Sequence, residues 1–452
     1  MKKVLFLCGN CGYQSSKWLG KCPECSTWNS FVEEAVNIRP GHGSESAAPR
    51  GGRISAVPVS GIKDDEKQRL FTGIAELDRV LGGIIPGQAI LISGEPGIGK
   101  STLVLEAADK LSANGKVFYI NGEESNSQIK LRAGRLGAGQ CGVLLFPEND
   151  VDEISAVVRR DSPKFVFVDS IQTVFSPAFD SLPGSVVQMR ESAYTLVKLC
   201  KELDITLFIV GHVTKSGIIA GPKILEHIVD TVLFLEMDGR GYYRILRSNK
   251  NRFFSTDEIG FFTMEEAGLK CINNVSEAFL YSHEGEVSGI SFFPMAEGNR
   301  IIPVEIQALT SPTQFNYPKR TSDGMDMSRL YMLLAVMEKY LKIDLSHHDV
   351  YLNITNGLHI QDPGLDLPVV AAVYSSIKAM PSALDLMACG EVGLTGEVRP
   401  VIKIDKRIAE SSRNIFKKMI IPYQTGKLKK PPEGAFKIYP VKNISECVSL
   451  MF

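Results

Sequence analysis

Short, fully apolar runs alternate with helix-like segments through the middle of the chain. Four of these runs are rich in β-branched and aromatic residues: Ala89–Ile92, Val117–Ile120, Phe165–Val168 and Leu207–Val210. Strands that are apolar at every position are typical of a parallel sheet covered by helices on both faces. From about residue 70 to residue 262, the pattern therefore predicts one α/β domain.

Two later runs, Thr231–Leu235 and Tyr242–Leu246, predict antiparallel strands added to this sheet. A second α/β unit is predicted towards the end of the chain. Its expected elements are the helix Ser328–Leu341, the strand Asp349–Thr355, the helix Leu367–Met380, the strand Leu386–Val392, the helix Lys403–Ile415 and the strand Met419–Ile421.

The chain has 452 residues, which is room for about three domains. Small, polar and charged residues between positions 33 and 68 cannot bury a core, so they predict a linker. We expect a cysteine module at 1–32, a linker at 33–68, a central α/β domain at 69–270, a connecting segment at 271–310 and a C-terminal α/β domain at 311–452.

Charge and hydropathy exclude only a few classes of protein. Fifty Lys and Arg residues against 51 Asp and Glu residues give a formal net charge of -1. This balance excludes a bulk-basic chromatin-like protein and a bulk-acidic tail, but it permits local basic surfaces. No window approaches the ~18 consecutive apolar residues of a membrane helix. We expect a cytoplasmic protein.

Four of the nine cysteines form two C-x2-C pairs near the N-terminus, Cys8 with Cys11 and Cys22 with Cys25. Two such pairs supply the four thiolates of a tetrahedral structural site, for which Zn²⁺ is the expected metal. Redox cysteines or a rubredoxin-like iron site are the alternatives. An odd number of cysteines cannot pair completely in disulfides, which fits a reducing compartment. We expect the other five to be buried small hydrophobic side chains: Cys141, Cys200, Cys271, Cys389 and Cys447.

A phosphate-binding loop follows the first apolar run and precedes the predicted helix Ser101–Leu111. The motif G-x4-G-K-[ST] with the next residue comprises Gly94, Glu95, Pro96, Gly97, Ile98, Gly99, Lys100, Ser101 and Thr102. Glycines let backbone N–H groups wrap phosphates, and the helix N-terminus favours negative charge. Lys100 would neutralise the β- and γ-phosphates and Ser101 would bind Mg²⁺. We predict an ATP-binding site.

Carboxylates at the ends of two other predicted strands would complete the chemistry. Asp169 follows Phe165–Val168 and would hold the magnesium ion directly or through water, although an Asp that caps a turn is the alternative. Glu123 and Glu124 follow Val117–Ile120, where a carboxylate would orient the attacking water. We assign this role to Glu123 rather than Glu124, and a solvated turn is the alternative.

Taken together, these motifs carry a family resemblance. The segment Phe71–Gly83, which runs into the phosphate loop, is similar to the RecA-type ATPase core. With the four-cysteine module, Gly122–Ser125, Val210–Lys215 and Gly221–His227, the likeness covers essentially the full length. The chain resembles the RadA (Sms) family of bacterial DNA-repair proteins. The resemblance implies a RecA-like P-loop ATPase domain with a parallel-rich sheet at 69–270.

The K-N-R-F-G signature of that family reads Lys250, Asn251, Arg252, Phe253 and Phe254 here, so that four of five positions match. The sequence shows no obvious acidic partner for the two cations. Lys250 and Arg252 would reach the γ-phosphate bound to a neighbouring subunit, a role that elsewhere raises the rate ~10³–10⁵-fold. A solvated basic turn is the alternative.

Two segments that follow predicted strands, Ser176–Arg190 and Gly211–Lys223, are candidates for DNA contact. Cations among glycines suit phosphate contact without base specificity, and a plain surface connection is the alternative. The resemblance implies DNA contact by three side chains: Arg190, Lys215 and Lys223. His212 would either sense the γ-phosphate or be a satisfied buried histidine.

Residues Glu391–Pro400 resemble the C-terminal protease domain of the Lon family, which uses a Ser–Lys dyad. The dyad is missing, because Gly364–Pro368 contains no serine and the lysine position aligns with Asp405, one residue before Lys406. Ser375–Ser376 lies inside a predicted helix. We expect an inactive Lon-protease-like domain at 311–452 that serves as a platform for assembly and DNA binding.

Sequence and resemblance together predict a DNA-dependent ATPase or helicase of recombinational repair that promotes branch migration with RecA. The resemblance implies single-stranded and branched DNA and RecA as partners, with the zinc module as a protein contact. It also implies a homo-oligomeric ring, expected to be a hexamer. An ATP-dependent Lon-like protease and a non-enzymatic, nucleotide-gated scaffold are the alternatives.

Overall fold

The computed structural model describes residues 2–8, 14–23, 26–37, 69–138, 142–212, 221–238, 241–272, 280, 283, 285–314, 317–424 and 436–452. The chain divides into two compact units, one of residues 1–236 and 244–271 and the other of residues 237–243 and 272–452. The first unit contains a three-stranded and a nine-stranded sheet, and the second contains a seven-stranded and a two-stranded sheet.

The N-terminal module is a small antiparallel sheet. Strand β1 (Lys2–Cys8) lies between β2 (Gln14–Ser15) and β3 (Phe31–Asn37), and its seven residues all pair with β3. The predicted start of the linker at residue 33 is therefore wrong, because residues 33–37 belong to this sheet. The two glutamates of β3 give it a linker-like composition, but its backbone groups bond to a largely apolar partner strand. Residues 38–68 of the expected linker lie outside the described residues.

The core of the first unit is a nine-stranded sheet with a parallel centre. Its strands are β4 (Ala89–Gly94), β5 (Val117–Asn121), β6 (Val143–Phe146), β7 (Phe165–Asp169), β8 (Thr206–His212), β9 (Thr231–Met237), β10 (Tyr243–Asn251), β11 (Ile259–Glu265) and β12 (Gly268–Cys271). The order is β12-β11-β10-β9-β4-β8-β7-β5-β6, and the six strands from β9 to β6 are parallel.

Helices cover both faces of this sheet. They are α1 (Ala75–Leu81), α2 (Lys100–Ser112), α3 (Asn126–Arg135), α4 (Val151–Asp161), α5 (Val186–Glu202) and α6 (Gly221–Glu226). Alternate strand residues enter two separate cores, one packed on α1, α2 and α3 and the other on α4, α5 and α6. In the first core the rings of Phe167 and Phe208 stack with centroids 4.6 Å apart. The predicted doubly covered parallel sheet is confirmed.

Strand β9 runs parallel to β4, so the expectation that Thr231–Leu235 is an antiparallel addition is wrong. A crossover that contains α6 joins β8 to β9 and returns the chain to the same end of the sheet. Strands β10, β11 and β12 then extend the sheet beyond β9, with β11 and β12 antiparallel.

The second unit is built on a mixed sheet of order β15-β16-β14-β13-β17-β20-β21. Its strands are β13 (Ile290–Glu297), β14 (Arg300–Pro312), β15 (Arg320–Asp323), β16 (His348–Ile354), β17 (Leu386–Ala388), β20 (Lys418–Pro422) and β21 (Lys437–Val441), while β18 (Glu391–Val392) and β19 (Val398–Arg399) form a separate pair. Its helices are α7 (Met327–Leu341), α8 (Asp366–Lys378), α9 (Ile404–Ser411) and α10 (Ile444–Met451).

Two expectations for this unit need correction. Residues 290–310 are not part of a connecting segment, because β13 and β14 pair with each other in the middle of the sheet. Prolines at 294 and 303 lowered the strand signal of both segments, but these two residues face each other across the antiparallel pair. The predicted strand Leu386–Val392 is split at Gly390, whose backbone bonds to Gly364 and Leu367 instead of continuing the ladder.

Among the residues that the structure describes, no helix has the length and apolar character needed to cross a bilayer.

Candidate nucleotide site and its surroundings

The phosphate loop joins the end of β4 to the start of α2, as its motif predicts. Gly97 and Gly99 have φ values of +77° and +112°, which residues with a Cβ rarely adopt. A Cβ on Gly94 would lie 2.2 Å from the carbonyl oxygen of Leu235, so the close approach of β9 also requires glycine here. The glycines of the motif are therefore required by the backbone conformation of the loop and by its close packing against β9.

Lys100 is buried at the first position of α2. Its Nζ donates to the carbonyl oxygens of Gly94 and Glu95 at 2.9 and 2.8 Å, so that the side chain folds back into the loop. Burial lowers the pKa of Lys100 to about 8, although the carboxylates of Asp169 and Glu123 oppose this change. An anion bound in the loop would favour the charged lysine, which is what a nucleotide phosphate supplies.

The carboxylate of Asp169 lies beside the hydroxyl of Ser101. Ser101 Oγ donates to Asp169 Oδ1 at 3.1 Å, and Tyr119 OH donates to Asp169 Oδ2 at 2.7 Å. Burial raises the pKa of Tyr119 well above its usual value, and the nearby Asp169 carboxylate adds to this rise, so the phenol remains a donor. A hydroxyl and a carboxylate in contact are hard oxygen ligands that suit Mg²⁺. Tyr119, which the sequence analysis missed, fixes the second carboxylate oxygen.

Glu123 and Glu124 follow β5 and have different partners. Glu123 Oε1 accepts a hydrogen bond from Ser170 Oγ and lies 3.7 Å from His212 Nε2. The carboxylate of Glu124 is paired instead with the guanidinium of Arg132. The geometry therefore brings Glu123, and not Glu124, together with Asp169 and Lys100. Ser170 was also missed, although it directly follows Asp169 in the chain.

His212 is the last residue of β8 and lies opposite Gly94 in the strand register. Its Nδ1 is buried and has no hydrogen-bond partner among the described residues. Burial and the charge of Lys100 lower the pKa of His212, although Glu123 and Asp169 act in the opposite direction. The alternative prediction, a buried histidine with both ring nitrogens hydrogen-bonded, therefore does not fit the described residues around His212.

Lys250 and Arg252 are held within their own subunit. Lys250 Nζ donates to the carbonyl oxygens of Glu226 and Val229 at 2.6 and 2.9 Å, and Arg252 forms an ion pair with Asp230 at 3.2 Å. The expectation that these cations lack an acidic partner is wrong, because the sheet brings the start of β9 next to the end of β10. Arg252 nevertheless keeps 52% of its side chain exposed.

The ring of Phe254 packs against Gly82, where any residue with a side chain would clash with it. A Cβ on Gly82, which ends α1 with φ +69°, would lie 2.1 Å from the ring of Phe254. Asn251 Oδ1 accepts the N–H groups of Phe253 and Phe254 at 3.0 and 3.1 Å, which shapes the turn after the signature. Phe254 does not have positive φ, so this turn does not require the glycine of the family signature.

The two segments expected to contact DNA differ in how much the structure describes. Arg190 lies within α5 rather than in a loop, and its guanidinium is paired with Glu191. Gln188, which is buried, bonds the backbone of Ser176, Phe179 and Ser181 and so holds the first segment in place. In the second segment, Lys215 lies outside the described residues. Lys223 lies in α6, but its side chain is likewise not described.

Two of the four expected zinc ligands are described. Cys8 and Cys22 are fully buried and share a small cluster with Phe6, Leu19 and Phe31. Thiols from both C-x2-C pairs thus meet in one place, which fits a shared metal ion. Cys11 and Cys25 lie outside the described residues.

Most of the remaining cysteines have thiols that are unreactive because they are buried. Burial raises the pKa of Cys200, Cys389 and Cys447 to about 12, so these thiols stay protonated and unreactive. Cys271 is only half-buried, contrary to expectation, and Cys141 lies outside the described residues.

In the C-terminal unit, the segment Gly364–Pro368, which contains no serine, leads into α8, and Asp366 is the first residue of that helix. The carboxylate of Asp366 is paired with Arg329 and accepts the N–H of Val392 at 2.9 Å. Lys406 donates to the side chain of Asn299. Asp366 is thus paired with a cation and Lys406 bonds to an amide, so neither contacts a serine hydroxyl among the described residues.

The two serines of α8 are also structural. Ser375 is buried and accepts the N–H of Gly289 at 2.8 Å, while Ser376 accepts the N–H of Thr310 at 2.8 Å. Both hydroxyls tie the helix to the strand layer beneath it. The expectation that they belong to the helix holds in the structure.

Family models match all three parts of the chain. The model described as "AAA domain" matches residues 57–217, "Rubredoxin metal binding domain" matches residues 6–33, and "Lon protease (S16) C-terminal proteolytic domain" matches residues 273–452. The first supports the RecA-like P-loop ATPase fold, the second the metal module and the third the Lon-like fold of the C-terminal unit.

Similar proteins match nearly the whole chain. "DNA repair protein RadA" of Bacillus subtilis is 43% identical over 449 residues, 99% of this chain and 98% of that protein. The proteins of the same name from Aquifex aeolicus and Halalkalibacterium halodurans are 43% and 42% identical, over 100% and 93% of this chain and 99% and 93% of their own lengths. Identity at this level, sustained across the metal module, the ATPase domain and the Lon-like domain, establishes that the chain belongs to the RadA family of bacterial DNA repair proteins.

Proposed function

We propose that the chain is a Mg²⁺-dependent ATPase stimulated by DNA, which acts as a helicase in recombinational repair. The observation that carries this proposal is the meeting of Lys100, Ser101, Asp169 and Glu123 at the sheet edge formed by the carboxyl ends of the parallel strands β4, β7 and β5. Ligands of open α/β sheets bind at this edge. No other set of described residues combines a phosphate loop with carboxylates in this way.

Each of these residues has a separate role in the proposed reaction. The loop Gly94–Thr102 wraps the phosphates, with Lys100 neutralising their charge. Ser101 and Asp169 hold Mg²⁺, which supplies charge stabilisation at the transferred phosphoryl group. Glu123 orients the attacking water, because the hydroxyl of Ser170 holds its carboxylate close to the loop. Lys250 and Arg252 act on the nucleotide of a neighbouring subunit.

The proposed partners follow from the family. Membership in a family of DNA repair proteins supports DNA as the partner, contacted through the segment Gly211–Lys223 with Lys215 and Lys223. Arg190 does not support this proposal, since it lies within α5, is paired with Glu191 and has only 27% of its side chain exposed. A ring of subunits, expected to be a hexamer, would couple hydrolysis to movement along single-stranded and branched DNA during branch migration with RecA.

The metal module is proposed to bind Zn²⁺ through Cys8, Cys11, Cys22 and Cys25. The shared burial of Cys8 and Cys22 supports a single site with one ligand pair from each C-x2-C sequence. Binding of ~10–16 kcal/mol would stabilise a module whose own core is very small. The module then offers a folded surface to RecA or another protein.

The deciding experiment measures ATP hydrolysis with and without single-stranded DNA for the wild-type protein and for Lys100→Ala. Wild-type hydrolysis should rise with DNA, and Lys100→Ala should lower it by about 10²–10³-fold, because the phosphate charge loses its buried partner. Lys110→Ala, on the exposed end of the same helix, is the matched control. Hydrolysis that no DNA stimulates would contradict a DNA-driven motor.

The two rival functions give different results in the same samples. A nucleotide-gated scaffold would bind ATP without turnover that depends on Lys100. A protease would degrade an unfolded protein substrate, with activity lost in Asp366→Ala or Lys406→Ala. The pairing of Asp366 with Arg329 argues against the protease, because a buried, ion-paired carboxylate lacks the hydroxyl nucleophile of the Ser–Lys mechanism.

A further inference from the structure

Asp230 is a buried carboxylate at the base of the signature segment. It precedes β9, and its side chain is 4% exposed. A buried carboxylate is costly unless its oxygens are bonded to donors or cations. Both oxygens of Asp230 are used, and they face different parts of the ATPase domain.

One oxygen is tied to the strand that leads to the phosphate loop. Asp230 Oδ2 accepts the N–H of Ala89 at 3.1 Å, and the N–H of Asp230 donates to the carbonyl oxygen of Ala89 at 3.0 Å. Ala89 is the first residue of β4. Asp230 is therefore fixed to the rigid centre of the sheet.

The other oxygen binds two cations. Lys201 Nζ donates to Asp230 Oδ1 at 2.7 Å, and Arg252 donates to the same atom at 3.2 Å. The N–H of Arg252 also donates to the carbonyl oxygen of Asp230 at 3.2 Å, so backbone and side chain are both attached to one residue. Lys250 is bound to carbonyl oxygens of the same turn, at Glu226 and Val229.

The charges of this cluster do not cancel. Lys201, Lys250 and Arg252 surround one buried carboxylate, with Glu226 as the further acidic group near Lys250. The side chains of Lys201 and Arg252 are 40% and 52% exposed, so positive charge reaches the surface. Such a surface is suited to an additional anion, and a nucleotide phosphate of a neighbouring subunit is an anion of the required charge.

We propose that Asp230 is the positioning residue for Arg252 in ATP hydrolysis, an inference that rests on the proposed action of Arg252 on the neighbouring nucleotide. Asp230 does not touch the nucleotide. It holds one edge of the guanidinium against the sheet, which leaves the exposed donors in a defined direction. A free arginine side chain would lose rotamer entropy on reaching the phosphate, and prior attachment removes part of that cost.

The experiment uses mixtures of full-length subunits with different defects. Lys100→Ala subunits cannot use their own site but keep Arg252, whereas Arg252→Ala subunits keep the site but lack the cation. Neither variant alone should hydrolyse ATP well. Their mixture should regain hydrolysis, since each Arg252→Ala site next to a Lys100→Ala subunit is complete. Failure of this mixture would overturn the action of Arg252 between subunits, and the inference with it.

Asp230→Asn is then added to one subunit type at a time. The amide oxygen can still accept the N–H of Ala89, but the amide group cannot pair with the cations. Added to the Lys100→Ala subunit, which supplies Arg252, the substitution should lower the regained rate by roughly 10- to 100-fold at saturating ATP, because misplacing a group by about 1 Å costs that much. Added to the Arg252→Ala subunit, it should change the rate far less.

The two arms carry the same substitution, so a general loss of folded protein would lower the rate of both mixtures. Equal losses, or a loss only in the Arg252→Ala arm, would overturn the proposal; the second result would assign Asp230 to support of the phosphate loop. Glu202→Gln is the matched control, because it removes a carboxylate from an exposed ion pair with Arg159, one residue after Lys201. It should leave both mixtures unchanged.

Discussion

Lys100 in the first unit and Asp366 in the second are both buried charged residues in the first turn of a helix, yet their surroundings differ. Lys100 is a cation at the positive end of the helix dipole and bonds only to neutral carbonyl oxygens of its loop. Asp366 is an anion at the same kind of position, where the dipole favours it, and it is also paired with Arg329.

The difference separates a site that needs a ligand from one that does not. At Lys100 burial and the helix dipole disfavour the charge, the carboxylates of Asp169 and Glu123 oppose this only in part, and an incoming phosphate would favour the charged form. At Asp366 the cationic partner is supplied by the protein itself through Arg329, and Arg407 in the same unit is likewise buried and paired with Asp362. A cation without an anionic bonding partner thus characterises the phosphate loop, whereas the Asp366 carboxylate already has its ion pair within the chain.

The largest expected effect tests the carboxylate next to the loop. Glu123→Gln should lower the ATP turnover number by about 10²–10⁴-fold while nucleotide binding remains, because the amide cannot polarise water. Turnover rates and the affinity of a fluorescent ATP analogue would be measured together. Glu124→Gln is the matched control. A larger loss of turnover in that variant would assign the water-orienting role to Glu124 and contradict the assignment to Glu123.

The second-largest expected effect tests the ion pair between Arg329 and Asp366. Arg329→Met leaves the buried Asp366 carboxylate without its cation, so the free energy of unfolding should fall by about 3–5 kcal/mol. Burial raises the pKa of Asp366, and Arg329 opposes this rise by hydrogen bonding to the carboxylate. Chemical denaturation of wild type and variant would measure the loss.

The same variant has an expected pH dependence. Between the unfolded pKa of Asp366 and its raised folded pKa, the folded state binds more protons, so stability falls as pH rises through that range. Without Arg329 the folded pKa rises further. The destabilisation by Arg329→Met should therefore be smaller near pH 5 than near pH 8, and a loss that is larger near pH 5 would contradict a buried, unpaired carboxylate.

A smaller effect is expected from Tyr119→Phe, which removes one hydrogen bond to Asp169 without changing the ring. The Mg²⁺ concentration for half-maximal hydrolysis should rise roughly tenfold, because groups that orient metal ligands have effects of this size. A magnesium titration at saturating ATP would measure it. Tyr194→Phe, at an exposed position on α5, is the control. An unchanged magnesium requirement would show that Tyr119 does not orient the ligand.

The smallest effect on either site is expected from removal of zinc. Both tryptophans of the chain, Trp18 and Trp28, lie in the metal module and are exposed. A zinc-selective chelator, added in the presence of excess Mg²⁺, should change their emission as the module unfolds, while ATP hydrolysis without DNA stays within about twofold, as expected of independent sites. Zinc should restore the emission, and Cys200→Ser should leave the response intact. Emission that is insensitive to chelation would contradict a metal-dependent module.

Features that lie within one continuous segment were predictable from the sequence. The phosphate loop, the two C-x2-C pairs and the apolar strands each show their chemistry within a few neighbouring residues, and the predicted strands and helices around the loop appear in the structure. The absence of a serine from Gly364–Pro368 was equally plain.

Features that depend on contacts between distant segments were not predictable in the same way. Asp230 and Arg252 are 22 positions apart and meet because β9 and β10 are neighbours in the sheet. Tyr119 reaches Asp169 across 50 positions through the adjacent strands β5 and β7. Strands β13 and β14 were not predicted because each contains a proline, which is unfavourable inside a strand. Their pairing with each other places these prolines opposite one another, and the composition of either segment does not reveal this.

The sequence by itself determined the family, the fold class and the residues of the phosphate loop, because helix and strand periodicity and the glycine requirements of a loop are local properties. Tertiary structure alone decided which charges are satisfied. It pairs Asp366 with Arg329 and Arg252 with Asp230, and it leaves Lys100 with carbonyl oxygens only. The physical reason is that the free energy of a buried charge depends on partners within a few ångströms, and only the packed sheets bring those partners together.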